Sequence, residues 1–453
     1  MFAGCFTAVV FYAEYIGMGV VLGGALPGPV ASSVALGCTM VVGAVIVNCA
    51  LGAALREPLL AGPRAASLAV LVAGMKFSAD YANDEAARLP AALAALATML
   101  VVAAVTQLAG TLPRVRAWLA CTSVALRKGF VFSTAVGIVV GLASAQLDGC
   151  LRVSPALTVA VMVVSVAVAL SWSRWCSRPG SGPRRRRLAP FSLIIGTALA
   201  SAGYYALLAP FALEDLCATV GSAALEGAPL LQPGISVAHF EVAARSLPFW
   251  IWPVLVLIGA LLGLVLLLES LTALRETREP TPPAAWAAHL KLRALVNVAA
   301  APLGLACSSI TMVRTNALIE SAGSTRLAVL FHGLALVAIL LFLNDWIGAL
   351  PQLAVAVALM LLAIQMIDEE TRTHVWRRGY GPNASPERVR SAWAFWGVVA
   401  LSLAAGTALH AHGWGFGGGP LMALFVGMAW TGKRFLQQRR QLQQSQQFVR
   451  QSG

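Results

Sequence analysis

An apolar stretch of about 18 residues crosses hydrocarbon only as a helix or as part of a closed barrel, because lipid offers no partner to backbone N–H and C=O groups. Stretches of that kind recur along nearly all of this 453-residue chain. They are continuous runs of Leu, Ala, Val and Gly, not segments alternating with period two, so the barrel is set aside. With 58% hydrophobic and 11% charged residues, the chain reads as an all-α polytopic membrane protein. The apolar windows predict about fourteen spans, near 8–26, 33–54, 62–77, 87–109, 129–146, 155–173, 190–212, 248–270, 285–303, 308–320, 326–344, 348–366, 392–410 and 416–432.

The net charge of +13 is read by location in such a chain, as a record of loop orientation. With the N-terminus inside, one set of loops collects Arg114, Arg116, Arg127, Lys128, Arg174, Arg178, Arg184 to Arg187, Arg275, Arg278, Arg377, Arg378, Arg388 and Arg390. The opposite loops carry Asp80, Asp84, Glu85, Asp148, Glu214 and Asp215. The asymmetry predicts both termini in the cytoplasm of a bacterial inner membrane, and no nucleic-acid partner. No cleavable signal is read at the N-terminus, which lacks a basic n-region and places Glu14 and Tyr15 inside its first apolar run. The eight cysteines show no metal spacing, so no metal site is expected, and a Cys150–Cys217 disulfide is left open. His410 and His412 lack a third ligand beside them. With no Walker loop and no nucleophile triad, the chain is read as neither an ATP-driven pump nor an enzyme. Residues 437–453 form a polar tail.

Two spans are short and broken at their starts. The third opens with Ala61-Gly62-Pro63-Arg64 and the tenth with Cys307-Ser308-Ser309, 246 positions later and near half the chain length. That spacing predicts two repeats of seven spans, the second inverted because seven is odd. Broken helices at matching positions of inverted halves mark a transporter's binding site. A helix starting at Ser308 or Ser309 would point free N–H groups and the positive end of its dipole into the bilayer, and Arg314 one turn later adds a cation. The expected complement is a small anion. The competing reading pairs Arg314 structurally with Glu269 or Glu320. Gly62, Pro63, Arg64 and Ala65 belong to the matching start, and Arg64 either faces the anion, pairs with Glu269 or points to the inner water layer. Glu269, in LLLESLTALRETRE, is a candidate for coupling a proton or sodium ion, since carboxylates within spans are rare. Glu14 is a second candidate acid or an interfacial residue. Asn297, Ser309 and Thr311 offer neutral hydrogen-bonding groups.

These residues resemble the SulP sulfate permease family. RALVNVAAAPLG, SSITMVRTNALIESAGSTRLA and ALPQLAVAVALMLLAIQMID, between Leu292 and Asp368, are similar to the family's ninth, tenth and twelfth spans. Glu269-Ser270-Leu271 resembles its eighth span, LAGPRAASLAVLV its third, and Lys128-Gly129-Phe130 the opening of its fifth. The resemblance implies a transporter domain over 1–436, with a core of about 1–110 and 248–345 and a gate of about 111–247 and 346–436. The core would carry a small inorganic or carboxylate anion, such as sulfate, bicarbonate or a dicarboxylate, in an elevator-like movement coupled to a proton or sodium ion or run as exchange. Its site would be Gly62, Pro63, Arg64, Ala65, Ser308, Ser309, Thr311 and Arg314, with Glu269 as the coupling acid, no organic cofactor, and a homodimer formed through the membrane domain. The chain departs from the pattern at Val313 and Arg64, where small polar residues are usual, and in the glutamine expected near Ile16; no STAS domain is read after the last span. A nucleobase permease on the same fold, or an anion-binding channel-like or regulatory protein, is the alternative.

Overall fold

A computed structural model describes residues 1–367, apart from breaks of which the longest is 220–234, and parts of 392–407. The expected thirteenth span is described only in part. The fourteenth, the 437–453 tail, His410, His412 and Cys217 lie outside the described residues. Cys150 is disulfide-bonded.

The chain is helical nearly throughout. Helix α1 (Phe2–Gly23), α2 (Val30–Ala54), a two-residue strand β1 (Ala61–Gly62), α3 (Ala65–Asp80) and α4 (Glu85–Ala109) come first. There follow α5 (Val124–Gly137), a π-helical segment (Ile138–Ala143), α6 (Ser144–Val153), α7 (Pro155–Cys176), α8 (Ser192–Gly203) and α9 (Val237–Ser246). The last described elements are α10 (Ile251–Glu276), α11 (Trp286–Ala300), strand β2 (Ser309–Ile310), α12 (Met312–Glu320), α13 (Arg326–Phe342) and α14 (Gln352–Met366). Among the described residues, six helices are long and apolar enough to cross a membrane by length and composition alone. The short helices α3 and α12 are not among them, as a pair of half-spans requires.

Three expectations need correction. The first helix starts at Phe2, and α9 was not read from the sequence at all. The third and tenth spans do not begin as helices at Gly62 and Ser308, because each opens with an extended strand and the helices start at Ala65 and Met312. Pro63 explains the first of these delays, since a residue before proline is pushed out of the α region. The second follows from side chains far away in sequence, described below.

Helices α1 to α4 pack with α10 to α13, while α5 to α8 pack with α14; α1 touches both groups. Close approach in the first group depends on glycine. A Cβ at Gly37 would lie 2.2 Å from the carbonyl oxygen of Gly19, and one at Gly4 would lie 2.1 Å from that of Ala328. Small residues allow such crossings where apolar packing alone gives helices no preference over lipid. The second group has its own apolar core, built from Ala169, Leu193, Ala200, Ala354, Val357, Ala358 and Leu361.

Candidate functional site

Strands β1 and β2 pair antiparallel, with Ala61 opposite Ile310 and Gly62 opposite Ser309. Each runs directly into a helix, so α3 and α12 leave the pair in opposite directions. Their N-termini bring the unsatisfied first-turn N–H groups of two helices to one buried place. The junction is tied further: Thr311 N–H donates to Leu60 O at 3.0 Å, and Leu60 N–H to Thr315 Oγ1 at 3.2 Å.

The approach to β2 is held by amide side chains. Asn297 Oδ1 accepts from Ser308 N–H at 2.8 Å, while its Nδ2 donates to Ser308 O at 3.2 Å and to Gln107 Oε1 at 2.8 Å. Ser308 Oγ donates to Asn48 Oδ1 at 2.5 Å. With its amide, carbonyl and hydroxyl all engaged, Ser308 cannot cap a helix, so the backbone stays extended until Thr311. Ser309 Oγ donates to Glu269 Oε2 at 2.7 Å, and Ser270 Oγ accepts from Ile310 N–H at 3.3 Å. Glu269-Ser270 thereby binds β2 to α10.

Arg314 is fully buried. Its partner is Glu14, not Glu269 or Glu320: Nη2 donates to Glu14 Oε1 at 2.5 Å and Nε to Oε2 at 3.3 Å. Nη2 also donates to Pro63 O at 3.0 Å, which links α12 to the turn before α3. The guanidinium lies over the Tyr15 ring, its Cζ 4.5 Å from the centroid. Nη1 is buried and has no hydrogen-bond partner among the described residues, and so is Thr311 Oγ1. Glu14, only 4% exposed, is held inside the protein against Arg314. Arg64 stands where its charge acts on Glu269, with Ser67 also beside that carboxylate, but no ion pair joins Arg64 to Glu269 among the described residues. Of the candidate residues, Gly62, Pro63, Arg64, Ala65, Ser309, Thr311, Arg314 and Glu269 come together around the strand pair; Ser308 is close by, but its polar groups face the clamp.

A Cβ on Gly62 would stand 2.8 Å from both Arg314 Nη1 and Val45 Cγ2. Gly62→Ala should therefore displace the guanidinium and raise the KM for anion uptake about tenfold, a change equivalent to roughly 1.4 kcal/mol. Uptake kinetics of purified protein in liposomes check this, and an unchanged KM excludes Gly62 from the site.

Sequence reading missed a second buried network. Arg293, 0% exposed, donates from Nη1 to Asn48 Oδ1 at 2.5 Å and from Nη2 to Glu57, whose other oxygen meets His289 Nδ1 at 2.8 Å. An arginine in the middle of an apolar span was the available signal. Glu57 gave none, because Arg-Glu-Pro reads as a loop. Tyr15 and His332 were missed as well.

Residues 292–380 match the model of the sulfate permease family. Among curated proteins, none matches the chain. The fold is similar to that of the transmembrane domain of BicA, a cyanobacterial bicarbonate transporter, with TM-score 0.61, 15% identity and coverage of 93% of this chain and 97% of that one. It is also similar to SLC26A9, with TM-score 0.59 and 13% identity over 96% of this chain and 65% of that one. The murine SLC26A9 anion transporter in its inward-facing state gives TM-score 0.58 and 13% identity over 97% and 69%. At these identities the likeness is one of fold.

Proposed function

We propose that this chain, a sulfate permease family member on the match of residues 292–380, carries a small anion across the membrane, bound between the N-termini of α3 and α12 and coupled to a second ion. The observation that carries the reading is the charge balance around the strand pair, with Glu14, Glu269 and Arg314 buried and Arg64 half-buried. Two guanidinium groups, Arg64 and Arg314, stand with two carboxylates, Glu14 and Glu269, around the strand pair. An anion entering a balanced buried site leaves one negative charge uncompensated, at a cost of several kcal/mol. A proton on one carboxylate, or a cation beside it, removes that cost. Glu14 is committed to Arg314 through two contacts, whereas Glu269 is held by the Ser309 hydroxyl, so Glu269 is the group that can change charge. The anion is received by helix-end N–H groups and Arg314 Nη1, which supports bicarbonate, sulfate or a carboxylate over a neutral nucleobase. In the elevator reading, α1 to α4 with α10 to α13 move the site past α5 to α8 and α14.

Counterflow tests this. Protein in liposomes preloaded with unlabelled bicarbonate, sulfate or succinate should take up the same labelled anion faster than in empty vesicles. A channel shows no such acceleration, and its absence for every anion overturns the carrier reading.

A further inference from the structure

Thr7 and Tyr15 on α1 and His332 on α13 are each buried to 0% exposure, and the anion site described above uses none of them directly. His332 Nδ1 lies 2.9 Å from Thr7 Oγ1, and Nε2 lies 3.0 Å from Tyr15 OH. Thr7 Oγ1 is also 3.0 Å from the carbonyl oxygens of both Ala3 and Gly4. Counting protons gives the set one direction. Tyr15 O–H donates to Nε2, Nδ1–H donates to Thr7 Oγ1, and the Thr7 proton goes to a backbone carbonyl. The reverse direction would leave the Tyr15 proton with no acceptor named here, so the neutral Nδ1–H tautomer is assigned from the network.

The Tyr15 ring is thereby fixed at two places. His332 holds its hydroxyl and packs edge-on, with centroids 6.0 Å apart and planes at 88°. Its face carries the Arg314 guanidinium. Glu14 sets the rotation of that guanidinium within its own plane, and the ring beneath sets its tilt. Together they direct Nη1, the one guanidinium nitrogen of Arg314 without a partner among the described residues, toward Gly62 and the start of α3.

We propose that Tyr15 and His332 are positioning residues for anion binding, aiming Arg314 Nη1 at the site. The inference rests on the transport reading given above. Because the Nε and Nη2 edge is taken up by Glu14, the device presents a single nitrogen, which suits one oxygen of a monovalent anion such as bicarbonate better than two oxygens of sulfate.

A merely structural pair, each partner satisfying the other, predicts something different. Replacing both polar partners with apolar groups is then nearly neutral. The test compares Tyr15→Phe/His332→Leu, which keeps the ring and frees it, with Tyr15→Leu/His332→Leu, which removes the ring, and with His332→Gln, whose amide can accept from Tyr15 and donate to Thr7. Positioning predicts that the ring-deleted variant, which melts lower than wild type but stays folded and monodisperse at the assay temperature, raises the KM for labelled bicarbonate roughly two- to thirtyfold, the range of a guanidinium–ring contact, with Vmax retained. The ring-freed variant should show a smaller rise in the same direction, and His332→Gln should return KM close to wild type. Wild-type KM in both double variants overturns the proposal. If the wild-type protein transports none of bicarbonate, sulfate or succinate, the transport reading fails separately; the orientation of Arg314 in a cryo-EM structure of the ring-freed variant then decides, an unmoved guanidinium overturning the positioning role.

Discussion

Arg314→Ala should lose most of its folded protein, because it leaves Glu14 buried without its cation; breaking such a pair commonly costs about 3–5 kcal/mol, a large share of a typical domain's stability. Glu14→Ala should fail in the same way, with Arg314 as the stranded charge. The paired substitution Glu14→Gln/Arg314→Met removes both charges and should restore a monodisperse protein with a melting temperature near wild type. It should not restore transport. Without the guanidinium the anion loses a charge-assisted hydrogen bond of roughly 1.5–3 kcal/mol, so its affinity should fall at least about tenfold. Size-exclusion profiles and thermal melts separate the folding effect from the binding effect, and uptake kinetics measure the latter. An Arg314 that only held the anion would lose affinity on Ala substitution and spare the fold; its pairing with Glu14 makes the fold depend on it as well. A well-folded Arg314→Ala protein that binds the same anion with unchanged affinity would place the site elsewhere.

Glu269→Gln should separate exchange from accumulation. The amide oxygen can still accept from Ser309 Oγ, and Arg64, being only partly buried, keeps access to water when Glu269 loses its charge. The fold should therefore survive, unlike that of the Arg314 variants. Exchange of labelled for unlabelled anion carries no net charge and should continue. Uphill uptake driven by a proton or sodium gradient should collapse to equilibration, since the position can no longer change charge. Normal gradient-driven accumulation by the glutamine variant would remove Glu269 from the coupling step, and loss of both activities with misfolding would make it a structural acid.

The sequence by itself determined the helical membrane class, the two interrupted spans and the convergence of Gly62-Pro63-Arg64 with Ser309, Thr311 and Arg314. Hydrocarbon forces those features into view: a continuous apolar run must be a helix, and a proline, a serine pair or an arginine within one stands out against it. Spacing alone also suggested that the two breaks face each other, and the antiparallel pairing of Ala61–Gly62 with Ser309–Ile310 is how they do so. Partner choice was not legible in this way. Sequence offered Arg314 two acids, Glu269 and Glu320, and the one it takes, Glu14, lies 300 positions earlier, on a helix brought close because Gly4 and Gly37 have no side chains. Where α12 begins was decided by Asn297 and Asn48, which occupy the polar groups of Ser308 from two other helices and override its local preference for a helix cap. Neutral amides, and acids near span ends such as Glu57, leave no mark on a hydropathy profile. Their roles come from hydrogen-bond geometry between segments far apart in sequence, which only the packed tertiary structure sets.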